Sequence, residues 1–195
     1  TGFASDDKRN PLRRRYLGPG RRLSGTLAVL PTANLDWNYY HWVIQVLPRF
    51  ALLEASGVAP DNYYVSCSHR FQRDFLRLLG IPEDRWLPAN PYRVFSAESV
   101  AVTSWQCAQT SKFAADFLFD RFTGPYRAQD SRGLRVFVTR RRRGKRTLVN
   151  ERAVLSKLAP LGFRPYVLEK MSLPAQIELF CNAEMIVGCH GAGLT

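Results

Sequence analysis

Apolar residues along the chain follow two rhythms, a short strand-like one and a longer helix-like one, with turn residues between them. GTLAVL at 25–30 reads as a strand. After PTANLDWN, residues 39–56 carry dense apolar positions at helical spacing, with Pro48 a kink or boundary. Tyr63 to Ser66 reads as a strand, and Arg70 to Leu79 as a helix stopped by Gly80-Ile81-Pro82. Residues 86–104 give strand-like pieces with turns, and Ser111 caps a helix over 111–122. The turn-rich stretch 123–133 marks a boundary.

The second half is more regular. Leu134 to Thr139 is a strand, Asn150 to Leu161 a helix stopped by Gly162, and Phe163 to Leu168 contains a strand. Ser172 opens a helix with Pro174 in its first turn, and Glu184 to Gly188 is a short strand followed at once by CHGAGLT. This β-α-β-α-β order predicts a parallel, doubly wound sheet.

Charge changes the picture by its placement. The net charge of +12 divides into +5 on residues 1–22, +6 on residues 140–146 (RRRRGKR) and only +1 on the rest. Two cationic segments on a near-neutral body favour an anionic partner such as phosphate, nucleotide, nucleic acid or an acidic membrane surface; the plain alternative is a solvated arm and a basic loop. Nucleic-acid binding would spread basic residues over a face and interleave aromatics, so no specific nucleic acid is expected. No stretch reaches the ~18–20 apolar residues of a membrane span. The four cysteines, at 67, 107, 181 and 189, form no CxxC pair and read as buried free thiols in a reducing compartment. There is no starting Met, and HGAGLT reads as the start of an element, so an excerpt of a longer protein is expected.

Chemistry is expected at the carboxyl ends of the strands, where open α/β sheets bind ligands. His190-Gly191-Ala192-Gly193 follows a strand and leads toward a helix, which would aim main-chain N–H groups at an anion, although a glycine-rich turn can also be only a tight turn. Arg140 follows the first strand of this half, where a guanidinium can grip a diphosphate, and Asn150 can cap the helix that Glu151 begins. In the first half, Asn38-Tyr39-Tyr40-His41-Trp42 places a histidine among aromatics, either as a ligand or base or as a hydrogen-bonded core residue.

Together these segments resemble glycosyltransferase family 61. The resemblance rests on NYYHWVIQVLPRF at 38–50, VTRRRRGKRTLVNE at 138–151 and SLPAQIELFCNAEMIVGCHGAGLT at 172–195, in the family's order. It implies an α/β, GT-B-type fold of two Rossmann-like domains facing a cleft. A basic arm would occupy 1–23 and the acceptor-side domain 24–125, with the nucleotide-sugar-binding domain beginning at 130 and truncated at the C-terminus. It implies inverting, metal-independent transfer from a nucleotide-sugar, UDP-linked, to a saccharide or glycan acceptor, with no cofactor. Arg140, Arg146, Asn150, Glu151, His190, Gly191, Ala192 and Gly193 match the donor-side motifs. Tyr40, His41, Trp42, Gln45 and Arg49 match the acceptor-side motif. The resemblance implies that many relatives carry an acidic residue where this chain has Gln45, and an amide is no base. His41 is then the leading candidate base, with Glu151 and Asp36 behind it.

The excerpt alone is expected to show weak or no activity. A degenerate, non-catalytic binding domain and a polyanion-binding module are the alternatives. A bacterial, cytoplasmic enzyme of capsular or surface polysaccharide synthesis is expected, with peripheral contact to an anionic membrane through the basic segments. A eukaryotic source would place it in the lumen of the secretory pathway.

Overall fold

The computed structural model describes residues 20–31, 37–90, 93–104, 111–126, 133–140 and 148–195. Asp36, Arg146, Cys107 and the basic segments 1–19 and 141–147 lie outside the described residues.

Nine strands form three parallel sheets among these residues. The strands are β1 (Arg21–Arg22), β2 (Thr26–Val29), β3 (Asn62–Val65), β4 (Trp86–Pro88), β5 (Phe95–Ser96), β6 (Ser99–Val102), β7 (Leu134–Val138), β8 (Phe163–Tyr166) and β9 (Ala183–Gly188). The main sheet has the order β4-β3-β2-β6, a second has the order β8-β7-β9, and β1 pairs with β5. β1 lies within the last residues of the segment 1–23.

In the main sheet the chain steps outward from β2 through β3 to β4, then returns to β2's other flank as β6. In the second it steps from β7 to β8 and returns as β9. Each sheet thus reverses direction beside its first strand, and at such a reversal the loops diverge and leave a crevice beyond the carboxyl ends. One crevice lies past β2 and β6, the other past β7 and β9.

The main sheet has apolar cover on both faces, as a parallel sheet requires. Leu27 and Ala28 in β2 are buried. On one face lie α1 (Tyr39–His41), a π-helix (Trp42–Val46), α2 (Pro48–Ala55), α3 (Arg70–Leu78) and α4 (Lys112–Thr123). Trp42 is fully buried, its ring 5.9 Å from Phe71 and 5.8 Å from Phe75. On the other face Leu23, Leu27 and Leu87 cluster with Phe95 of β5.

The helical segment expected over 39–56 breaks at Pro48, the kink or boundary position, as the proline dictates. Its nitrogen has no proton to give Ile44, and in an α-turn its ring would collide with that carbonyl. The wider π-turn avoids the collision, with the Leu47 N–H donating to the Trp42 carbonyl at 3.2 Å, and Pro48 then starts α2. The caps expected at Ser111 and Ser172 form: each hydroxyl accepts from a main-chain N–H three residues on, at 3.1 and 3.3 Å.

The second sheet has a smaller core of Val136, Val138, Leu168 and Leu179. α5 (Glu151–Leu158) and the 3-10 turn Ala159–Leu161 connect β7 to β8, ending at Gly162 with φ +84°. The strand expected within 163–168 is β8, which ends at Tyr166 before Leu168–Lys170 turns as a 3-10 helix. α6 (Leu173–Cys181) connects β8 to β9, yet Leu173 is buried in the first core and Ile177 packs against it. One helix therefore belongs to the cores of both sheets. No helix among the described residues is long and apolar enough to cross a membrane.

Candidate functional site

At the first crevice, Asn38 starts the helical segment by accepting from the Tyr40 N–H at 3.0 Å. Burial pushes the Tyr39 hydroxyl up from 10.0 to about 12, because the phenolate would lose its hydration. His41 is half-buried, edge-on to Tyr40 with ring centres 5.4 Å apart, and its buried Nδ1 has no hydrogen-bond partner. Gln45, on the π-turn, is completely buried with neither amide atom partnered. The Thr103 hydroxyl, directly after β6, is also buried and unpartnered.

These three residues account for four of the six orphaned buried side-chain atoms among the described residues. Each such atom costs about 1–3 kcal/mol, so their concentration beside one crevice marks a place for a hydrogen-bonding guest. Arg49 is buried close by. Its Nε donates to the Gln45 carbonyl at 3.0 Å and its Nη1 to the Leu30 carbonyl at 3.2 Å, tying the π-turn to the end of β2.

At the second crevice the structure brings two predicted groups together. The Arg140 guanidinium lies directly over Gly191, its Cζ 2.7 Å from where a Cβ would stand. Any side chain at 191 would expel it. Gly193 is similarly confined: a Cβ there would stand 3.1 Å from Leu168 Cδ1. Arg140 leaves the end of β7 and His190 the end of β9, neighbouring strands in register from Arg135 with Met185 to Val138 with Gly188. The turn leads into helical structure, as expected. It closes as a single 3-10 turn over Ala192–Leu194, with the Leu194 N–H donating to the Gly191 carbonyl at 3.0 Å.

Glu151 stands first in α5, and its carboxylate accepts a hydrogen bond from the Thr139 hydroxyl. Thr139 thus ties the end of β7 to the start of α5, a role the sequence reading missed although VTR at a strand end was the available signal. Asn150 occupies the cap position, but its side chain makes no capping bond, contrary to expectation. Its backbone (φ −103°, ψ 30°) lies outside the extended region that aims a cap side chain at the first turn.

Tyr40, His41, Trp42, Gln45 and Arg49 therefore lie on the consecutive helical segments after β2, and Arg140, Glu151 and His190 to Gly193 lie past the ends of β7 and β9, with Glu151 the first residue of α5. The cysteines expected to be buried are only half-buried at 67, 181 and 189, and all three are free thiols. Burial pushes the Cys67 thiol up, partly opposed by Arg73.

The fold is a mixed α/β one with parallel sheets, polar groups gathered at two reversal points and an arginine set over a glycine turn. The family model for Glycosyltransferase 61 matches residues 39–195, about four-fifths of the chain. The chain belongs to glycosyltransferase family 61, and the family implies transfer of a sugar from a donor to an acceptor. A search of curated proteins finds no match.

Proposed function

We propose that this chain carries the machinery of an inverting glycosyltransferase using a UDP-linked sugar without a bound metal, its two sheets being the halves of a GT-B arrangement. The observation that carries the reading is Arg140 over Gly191 at the reversal point of the second sheet. In this reading an acceptor oxygen attacks the anomeric carbon, the bond to the diphosphate oxygen breaks, and the diphosphate leaves with the electron pair. Arg140 and the main-chain N–H groups of the 190–194 turn stabilise its charge, which matters most where water is excluded. His41 takes the acceptor proton, and Glu151, held by Thr139, stays on the donor side as a positioning group.

A calorimetric titration of the whole protein with UDP, GDP, CDP and a short DNA, with EDTA at about 0.15 M salt, tests this. Saturable binding of one nucleoside diphosphate, lost in Arg140→Ala, is expected. Equal binding to every polyanion would overturn it and leave a general electrostatic patch. A non-catalytic binding domain is the second reading, favoured by a fully buried amide at Gln45, which is no base, where the resemblance puts an acid in many relatives. Gain of turnover in Gln45→Glu would select it.

A further inference from the structure

The proposed reaction leaves one proton of His41 to be placed. To take the acceptor proton at Nε2, the ring must carry its own proton at Nδ1, because a neutral imidazole has one donor nitrogen and one acceptor nitrogen. Once Nε2 is protonated the ring is a cation, and its Nδ1–H needs an acceptor. Nδ1 is buried and has no partner among the described residues. Water does not reach it, and a buried charge without a partner is costly. Nε2 is not among the buried orphaned atoms, so it is the nitrogen left for a substrate.

Gln45 has what Nδ1 lacks. It stands four residues after His41, a spacing between the about 3.6 residues of an α-turn and the wider π-turn, so the two positions share a face of the segment. Its amide is fully buried, and neither the oxygen nor the nitrogen has a partner. Its main chain is tied down, since its carbonyl accepts from Arg49 Nε at 3.0 Å, and only the side chain has to turn between rotamers. The orphaned Thr103 hydroxyl belongs to another element, past the end of β6. A buried donor without an acceptor and a buried acceptor without a donor, one turn apart on one helix, complement each other.

We propose that Gln45 is the positioning residue for the His41 base: its Oε1 accepts from Nδ1–H as the imidazolium forms. This rests on the transferase reading above and adds the residue through which its base works. The acceptor's proton passes to Nε2, the O–H electrons stay on the oxygen whose lone pair forms the bond to the anomeric carbon, and Nδ1 keeps its proton. The amide gains only a hydrogen bond. An amide oxygen can orient a base in this way as a carboxylate does. The unpartnered amide of the resting protein is then a cost retained because transfer uses it.

The test is release of UDP from a panel of UDP-hexoses and UDP-pentoses by the whole protein, water standing in for the acceptor, with UDP binding measured by calorimetry alongside. Gln45→Met, of similar volume, is expected to lower kcat at least about 10-fold, a part of the ~10²–10⁴-fold that a positioned base supplies, with the donor KM unchanged and no loss of stability in denaturation. Gln45→Glu, which keeps an acceptor oxygen, is expected to rescue release while His41 is present. In a His41→Ala background neither substitution should have any effect, because Gln45 works only through that ring. Full kcat in Gln45→Met overturns the proposal and leaves the transferase reading standing. So does Gln45→Glu that restores release to His41→Ala protein, since position 45 would then be a base itself. A parent that binds UDP yet hydrolyses none of the donors selects the non-catalytic reading, and the proposal falls with it.

Discussion

The two crevices share a topology and differ in how they are supported. The one past β2 and β6 is backed by a deep aromatic core, and its polar groups are buried and unpartnered. The one past β7 and β9 rests on four buried residues; its arginine is half-buried and its histidine exposed. Met185, Ile186 and Val187 of β9 are each more than a third exposed. A sheet reversal supplies the place for a ligand, whereas the surrounding core decides whether the groups there are rigid and dry or open and approachable. In the proposed reading this suits the two roles, a base held rigidly at the first crevice and an arginine that can approach the leaving diphosphate at the second.

The largest expected effect tests that contrast in stability. Trp42→Ala should cost about 3–5 kcal/mol in chemical denaturation, and Leu179→Ala, in the smaller core, about 2 kcal/mol. Equal losses would mean the two cores support their crevices equally. Next, Gly191→Ala should displace Arg140 and weaken UDP binding by about 100-fold in calorimetry, with denaturation moved by less than about 0.5 kcal/mol. Retained affinity would show that the arginine is not the diphosphate's partner.

The third effect belongs to pH. Folded Tyr39 keeps its proton to about pH 12, whereas the unfolded chain loses it near 10.0. The folded state binds more protons in that window, so stability falls as pH rises through it, by about 2–3 kcal/mol. Comparing denaturation of the parent and Tyr39→Phe between those pH values isolates this share; identical slopes would contradict it. The smallest effect is a gain. Gln45→Met removes two unpartnered polar atoms at similar volume and should stabilise by about 1 kcal/mol. A loss instead would mean that a buried water already satisfies the amide.

The strands and their parallel order were legible because β-branched and apolar runs between turn residues are local signals, as LRVFV shows. The Ser111 and Ser172 caps were legible for the same reason. The pairing of Arg140 with the glycine turn followed from their positions at the ends of neighbouring strands. The π-turn was not legible, since Pro48 fits a kink, a break or a wider turn equally well until the surrounding core selects one. Neither was the placement of α6, because it carries apolar residues on more than one face and its sequence does not say which sheet receives Leu173. The orphaned amide of Gln45 was beyond reach too, since only tertiary burial separates it from an ordinary surface glutamine.

The sharing of α6 also bears on how the chain is made. Synthesis delivers the N-terminal part first, and domains tend to fold in that order. When residues 173–177 leave the ribosome, the other residues of the cluster that receives Leu173 and Ile177, all before position 123, have already been synthesised. That cluster can hold α6 against itself before β9 has emerged. The first half thus serves as a template on which the last strand finds its neighbour. A lesion in the early core should therefore delay assembly of the Arg140 turn, far along the chain from where the damage lies.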